Sequence, residues 1–298
     1  MTGKVHHSIY NRITKFDIIN YTILSIIAFI TFFPFYYMII VSFANYEAVQ
    51  SQALYWYPTV FDTSWYKMIF QNRFFWASIK TTVFVTIVTT ILGVIICVAA
   101  AYPLSKTHLP GRRFMFNFII FTMFFGGGMI PFYITCVQLG LRDSVWVMIW
   151  PSLVGAFNIV LIKNFFQELP ESIEESAKVD GANDIVILFK IVLPMSTPII
   201  ATIALFIAVG KWNDWYTAML LIRDKMKYPL QLLLREMILD TTANLQGMAA
   251  QIASNEKTTY QLGLKMATVA VATIPIFCVY PFVQKYFTKG ILLGGVKG

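Results

Sequence analysis

Six apolar stretches, each long enough to cross a membrane as a helix, constrain this chain more than any other feature. They are Ile18–Phe43, Thr81–Leu104, Phe114–Leu139, Ser144–Ile162, Ile191–Gly210 and Met266–Gln284. A transmembrane helix needs about 20 mostly apolar residues, and in lipid every backbone polar group must be satisfied within the fold. The sequence therefore predicts an all-α integral membrane protein with six transmembrane helices.

Composition excludes several classes of protein. Of the 298 residues, 57% are hydrophobic and 13% are charged, whereas a soluble domain is about 25% charged. An ordinary soluble enzyme, a disordered segment and a nucleic-acid-binding protein are therefore disfavoured. The net charge of +8 fits Lys and Arg beside anionic lipid. Cys97, Cys136 and Cys278 all lie in apolar stretches, so neither a disulfide framework nor a metal site is predicted.

The positions of Lys and Arg predict the orientation. The N-terminal segment, the connection Ser105–Arg113 and the C-terminal tail each carry three of these residues. With six spans all three segments lie on one side, which the positive-inside rule makes cytoplasmic. Both termini are thus expected inside. Residues 1–76 would hold the N-terminal tail, the first span and an extracellular loop. Residues 77–298 would form a five-span core with an extracellular loop over 211–265 and a cytoplasmic tail.

The interiors of the six spans carry no Asp, Glu, Lys, Arg or His. Such residues mark proton relays and charged-ligand paths, so a proton-coupled carrier and a membrane-embedded enzyme are disfavoured. Sodium coupling through backbone carbonyls is left open. Energy for transport is therefore expected to enter from another site or another chain.

The cytoplasmic loop over residues 168–190 is acidic, although the protein as a whole is basic. Pro170 is placed to open a helix with an apolar stripe of Leu169, Ile173 and Ala177, and Asp180–Gly181 is placed to end it. A second short helix is predicted to follow, because Ile185, Leu188, Phe189 and Val192 recur at positions i, i+3, i+4 and i+7 and give it one apolar face. Two such helices would suit a groove on a soluble partner; the alternative is a solvated surface loop.

The same loop resembles a known motif. Glu175-Ser176-Ala177, Gly181 and Ile191-Val192-Leu193-Pro194 match the EAA motif of ABC importer permeases with its spacing intact, Ser176 replacing the first alanine. Trp212-Asn213-Asp214-Trp215 and Val296-Lys297-Gly298 resemble the carbohydrate-uptake, maltose-permease-like branch. Phe125–Pro131 and Tyr228–Gln231 are similar to LplC/YtcP-type permeases for complex saccharides.

This resemblance implies a type I ABC importer permease fold with cytoplasmic EAA coupling helices, in a bacterial cytoplasmic membrane. The implied partners are a second, different permease subunit, two ATPase subunits, an extracellular solute-binding lipoprotein and an oligosaccharide substrate. No Gly-rich phosphate loop is present, so no catalytic residue or cofactor is expected here; ATP and Mg would lie on the ATPase subunits. The implied coupling residues are Glu171, Glu174, Glu175, Ser176, Ala177, Asp180, Gly181, Ala182, Leu193 and Pro194.

Gly126–Gly128 and Pro131 predict either a broken third span, as found beside cavities, or close packing through small residues. The candidate pore or gate residues are Phe124, Phe125, Gly127, Met129, Tyr133, Asn158, Trp212 and Asn213. For the aromatic members, helix packing, lipid contact and an interfacial belt remain alternatives. An amino-acid or peptide permease and a secondary transporter are the alternative functions.

Overall fold

The computed structural model describes residues 14–45, 57, 61–237, 239, 262–275 and 277. In this part of the chain the regular elements are helices, and the extended pairing consists of an isolated bridge between Ala44 and Phe61. The all-α prediction is therefore confirmed. The described residues fall into two compact units, one within Met1–Lys67 and Leu245–Ala270 and the other within Met68–Asn244 and Val271–Gly298.

The helices in chain order are α1 Lys15–Ser42, α2 Ser64–Gln71, α3 Arg73–Ser105, α4 Arg112–Phe124, α5 Met129–Gln138, α6 Ala156–Gln167, α7 Glu171–Val179, α8 Asp184–Met195, α9 Thr197–Trp212, α10 Tyr216–Leu221, α11 over residues 230–237, and α12 Leu262–Pro275. Single 3₁₀ turns occupy Val145–Met148, Trp150–Ser152 and Lys225–Lys227.

Within the described ranges, α1 and α3 can each cross a membrane alone, with 28 and 33 residues. Three further apolar segments are bent pairs: α4 with α5 at 113°, Val145–Ser152 with α6 at 42°, and α8 with α9 at 82°. The sixth predicted span, Met266–Gln284, is described only in its first part. The N-terminal segment, the C-terminal tail and much of the loop over 211–265 lie outside the described residues, so the count of six remains a prediction.

In the first unit, α1 begins with a capping box formed by Thr14 and Asp17. Its other end is held by Trp65, whose indole N–H donates to the carbonyl of Ala44 at 3.0 Å. A side chain at Gly263 would meet that indole at 2.7 Å, so only glycine fits there. Most of α1 is exposed, and its apolar surface is available to lipid or to another subunit.

In the second unit, α3 packs along α6 and α9. A Cβ added at Gly93 would lie 3.1 Å from the side chain of Ile207, so the glycine lets α3 and α9 approach closely. One buried cluster around Ile162, Ile187 and Ile203 joins α3, α6, α8 and α9. This cluster supports the acidic loop from the side of the spans.

Candidate functional site

The acidic loop folds as two helices joined by a tight turn. Helix α7 begins directly after Pro170, with acidic residues in its first turn, where they favour the positive end of the helix dipole. It ends at a Gly181 with φ +81°. The N–H of Gly181 donates to Lys178 at 3.0 Å and that of Ala182 to Ala177 at 3.0 Å, the bond pair of a Schellman motif.

Gly181 is required by its backbone conformation and not by crowding. A Cβ built at this position has no heavy atom within 4 Å. A left-handed conformation costs an L-residue with a side chain roughly 1–2 kcal/mol. The turn therefore places α7 and α8 at a defined angle because position 181 is glycine.

The apolar residues of the second helix divide between the core and the surface. Val192 is buried and Leu188 is half-buried, whereas Ile185 and Phe189 are 68% and 64% exposed. The reason is a π-helical turn over Leu188–Val192. In a π-helical turn each backbone hydrogen bond spans five residues instead of four. Ile187 and Val192, which are five residues apart, therefore both lie in the buried cluster.

The stripe predicted on α7 is narrower than expected. Leu169 and Ala177 pack against the buried cluster around Ile162 and Ile187, but Ile173 is 37% exposed. Two contacts, one near each end of α7, therefore hold the helix against the spans. Most of its other residues are exposed, with the exception of Glu174.

Charged groups divide α7 into a side bound within the chain and a free side. The ammonium of Lys106 forms an ion pair with Glu174, and the two side chains are 18% and 16% exposed. The carboxylates of Glu171 and Glu175 are exposed and form no ion pair within the described part of the chain. Glu174 thus has an internal partner, whereas Glu171 and Glu175 are left exposed.

A cleft of about 330 Å³ lies between α7 and the residues that follow α3. Its lining includes Lys106, His108 and Gln167 on one wall and Glu171, Glu175 and Lys178 on the other. The wall residues carry both signs of charge. The cleft therefore offers polar contacts next to the exposed carboxylates.

Large apolar side chains are exposed around the turn, at Val179 (87%), Ile185 and Phe189. Among the other implied coupling residues, Ser176, Asp180, Gly181 and Pro194 are exposed, and Ala177, Ala182 and Leu193 are half-buried. We call the exposed surface of Glu171, Glu175, Val179, Ile185 and Phe189 the hairpin surface. It combines negative charge with apolar area, as a protein-docking surface does.

The third apolar segment is broken at the glycines. Helix α4 ends at Phe124, α5 begins at Met129, and Gly128 has φ +80°. A Cβ at Gly126 or Gly128 would have no heavy atom within 4 Å, so these glycines mediate no close packing within the described part of this chain. Of the two readings left open by the sequence, the structure has the break. Phe124 and Phe125 beside it are 77% and 65% exposed.

The other candidate gate residues have separate surroundings. The hydroxyl of Tyr216 donates to the sulfur of Met129 at 2.7 Å, and Tyr133 packs on the cluster around Val147. A side chain at Gly155 would meet the amide of Asn158 at 2.7 Å. The eight residues remain candidates.

Trp212 and Asn213 lie at the end of α9. Trp212 is half-buried. The amide of Asn213 donates to the carbonyl of Val209 at 2.9 Å and accepts from Gln231 at 3.2 Å. Nearby, the guanidinium of Arg235 lies 3.6 Å from the ring centre of Trp215. Gln231 and Arg235 of α11 thus contact this end of α9 and the residue Trp215 that follows it, whereas the indole N–H of Trp212 has no hydrogen-bond partner among the described residues.

Two lysines were missed by sequence reasoning. In the sequence, Lys106 serves only as one of the basic residues that predict the membrane orientation. Its partner, Glu174, lies 68 positions away. Lys163 follows the predicted end of the fourth span, yet α6 continues past it. It is 8% exposed, with its ammonium 4.5 Å from the ring centre of Phe116 and donating to Asn164 at 3.2 Å. Its place directly after Ile162, on the helix face that carries Ile159 and Phe166, was the available signal.

Comparison with curated proteins gives close relatives over nearly the full length. The chain is 44% identical to the polygalacturonan/rhamnogalacturonan transport system permease protein YtcP of Bacillus subtilis, covering 95% of this chain and 98% of the relative. It is 42% identical to protein LplC of the same organism, covering 95% of both. No protein-family model matches the chain.

A solved structure shares the fold. It is the crystal structure of a bacterial ABC transporter involved in the import of the acidic polysaccharide alginate. One of its chains aligns with a TM-score of 0.82 and 35% identity, over 95% of this chain and 100% of that one. The fold that contains the bent helix pairs is therefore similar to that of a chain in an ABC transporter.

Proposed function

Since the chain belongs to the permease subunits of sugar-transporting ABC transporters, as the sequence motif predicts, we propose that it moves oligosaccharides into the cytoplasm as part of an ATP-driven importer. The chain is a membrane protein and a transport component rather than an enzyme. The proposal specifies how energy enters, which way the chain faces and what it carries.

The hairpin surface is the observation that carries the proposal. It lies on two short helices that are anchored to the spans through Leu169, Ala177 and Ile187, and it leaves apolar and acidic side chains without partners in the described chain. We propose that an ATPase subunit covers it. The EAA-like spacing of Glu175, Gly181 and Leu193 supports this assignment.

In this mechanism the ATPase pair closes on ATP and pulls the hairpins of two permease subunits towards each other. The spans then rotate from an inward-facing to an outward-facing arrangement, a rigid-body transition. Helices α7 and α8 can carry such a load because both are packed on the buried cluster of the second unit. The nucleotide and its Mg belong to the ATPase subunits.

The orientation follows from the same assignment. The hairpin must face the cytoplasm, where the ATPases reside, and the short basic connection Ser105–Arg113 lies beside it in the structure through Lys106 and Glu174. This agrees with the side predicted from Lys and Arg density. Six spans with both termini inside complete the proposed topology.

For the substrate, the names of the relatives supply the support. One is a permease for polygalacturonan and rhamnogalacturonan, and the solved relative serves import of the acidic polysaccharide alginate. We propose that this chain carries oligosaccharides derived from such polysaccharides. A solute-binding lipoprotein would deliver them, and a second permease would form the other half of the path.

The test is uptake by the reconstituted importer, with both permeases, two ATPase subunits and the binding protein in liposomes. We expect ATP-dependent accumulation of oligogalacturonides or alginate oligosaccharides, and no accumulation when the ATPase subunits are left out. Uptake by this chain alone, driven by an ion gradient, would contradict the proposal. Stimulation of ATP hydrolysis by amino acids or peptides but by no saccharide would contradict the substrate class.

A further inference from the structure

The C-terminal end of α3 is a meeting point of helices. The last carbonyls of a helix have no partner within it. Here the carbonyl of Leu104 accepts from the guanidinium of Arg112 at 2.8 Å, and that of Ser105 accepts from the amide of Gln167 at 3.2 Å. Side chains from α4 and α6 therefore fix this end of α3.

Lys106, the next residue, extends the connection to α7. Its ammonium pairs with Glu174 and lies 4.4 Å from the ring centre of Tyr102. The Tyr102 ring in turn meets Phe166 of α6 edge to face, with ring centres 6.2 Å apart. Because both charged side chains are mostly buried, water and salt screen the pair less than they screen an exposed one.

The opposite part of α3 is also tied to another segment. The hydroxyl of Thr82 accepts the backbone N–H of Leu230 at 2.7 Å in a buried bond, at the start of α11. Between them, Gly93 allows the close contact with Ile207 of α9. At 1.5 Å per residue, Thr82 and Lys106 are about 36 Å apart, which exceeds the thickness of the hydrocarbon core.

We propose that Lys106 and Glu174 are positioning residues that form a latch, through which movement of α7 passes directly into α3. The inference rests on the proposed function, because it assumes that an ATPase moves α7. Without the latch, α7 is joined to the spans by the chain on either side and by two apolar contacts. With it, displacement of α7 also moves the helix that reaches α11 across the membrane.

The test uses the complete importer in liposomes and measures ATP hydrolysed per saccharide imported. Lys106→Met and Glu174→Gln each remove one charge of the latch with little change in size. We expect this ratio to rise about fivefold or more for each, within the usual range of coupling between sites. Lys106→Arg keeps the charge and should stay near wild type. Asp184→Asn, which breaks the exposed pair with Lys178 at 3.5 Å, is the matched control and should change nothing.

Three outcomes separate the ideas. If the wild-type importer shows no saccharide-stimulated hydrolysis, the proposed function fails. If the wild type couples and both Lys106→Met and Glu174→Gln couple equally well, the latch is wrong. Should the single variants assemble poorly, the double variant Lys106→Glu with Glu174→Lys decides, because it restores the pair in reverse. A swapped importer that assembles yet stays uncoupled would overturn the inference, and recovery of coupling would support it.

Discussion

The turns at Gly181 and Gly140 have the same backbone conformation, but the segments that follow them differ. At Gly181, φ is +81°, and the two Schellman bonds are both 3.0 Å long. At Gly140, φ is +71°, the N–H of Gly140 donates to Val137, and that of Leu141 donates to Cys136, again both at 3.0 Å. Neither glycine has a heavy atom within 4 Å of a built Cβ. The two turns are therefore matched in backbone conformation, in hydrogen bonding and in the space around the glycine.

The segments after the two turns differ. After Gly140 the chain closes on itself: Leu141 packs on a buried cluster, and the carboxylate of Asp143 accepts the N–H groups of Arg223 and Asp224 at 3.1 Å each. The ammonium of Lys227 donates to the carbonyl of Asp143 at 2.7 Å. After Gly181 the chain presents the hairpin surface instead. A turn motif thus fixes geometry, whereas function depends on which neighbouring groups are left without partners.

The largest effect is expected from placing valine at each turn. Either substitution strains the turn by roughly 1–2 kcal/mol, which corresponds to about a five- to thirtyfold change in its population. We expect Gly181→Val to lower saccharide-stimulated ATP hydrolysis by a similar factor and Gly140→Val to leave stimulation near wild type. The measurement is hydrolysis by the reconstituted importer with and without loaded binding protein.

Thermal unfolding of both variants is the control, since they should lose similar stability. Gly181→Asn, with a residue that tolerates the left-handed conformation, should retain most of the activity. Equal loss of stimulation in the two valine variants would show that the effect is general destabilisation.

A second effect concerns the exposed apolar groups near each turn. Burying a large aliphatic side chain in an interface contributes about 1.5–3 kcal/mol. Val179→Ser and Ile185→Ser should therefore each weaken binding of the ATPase subunits by about tenfold or more, measured by titration of the purified permease pair. Leu139, which is 68% exposed beside the other turn, provides the control. If Leu139→Ser weakens ATPase binding as much, the effect is not specific to the hairpin surface, and the assignment of the ATPase to that surface is wrong.

The smallest effect is a pH dependence at the closed turn. Hydrogen bonds from the N–H groups of Asp224 and Arg223 hold the pKa of Asp143 below its ordinary value. A carboxyl group with a lowered folded-state pKa contributes stability above its unfolded pKa of about 3.9 and loses it as pH falls through the lower folded value. We expect the protection factors of the amides of residues 223 and 224, which are exchange rates relative to the intrinsic rates, to be constant from about pH 7 to 5 and to show a downward deviation below about pH 4.

Asp143→Asn keeps an oxygen acceptor for both N–H groups and should abolish this deviation. The substitution also removes the ion pair between Asp143 and Lys227. Because both side chains are 38% exposed, the change in the free energy of unfolding should stay below about 1 kcal/mol. A deviation that persists in the asparagine variant would assign it to another group.

Much of the fold could be predicted because length and hydropathy are local properties. The spans around Phe29 and Cys97 correspond to α1 and α3, the two long unbroken helices in the described ranges. The break at Gly126–Gly128 is one of the two alternatives that the sequence leaves open. The bend between α8 and α9 was not predicted, and it does not lie at Pro194, because α8 runs through this proline to Met195.

The candidate site was predicted in its outline and missed in its contacts. Pro170 and Gly181 act through their own backbone, so their positions could be identified from the sequence. The π turn before Val192 adds one residue to a helical turn, and a strict 3.6-residue period cannot anticipate it. The pairing of Lys106 with Glu174 depends on how α3 and α7 meet in three dimensions.

Site-directed photo-crosslinking tests the central claim most directly. One photoreactive residue is placed at position 179, immediately before the C-cap of α7. Another is placed at position 139, the C-cap of α5. Both helices end in the matched glycine turns. In the assembled importer, irradiation should join position 179 to an ATPase subunit and leave position 139 free of it. Crosslinking of the ATPase from position 139, with none from position 179, would contradict the account.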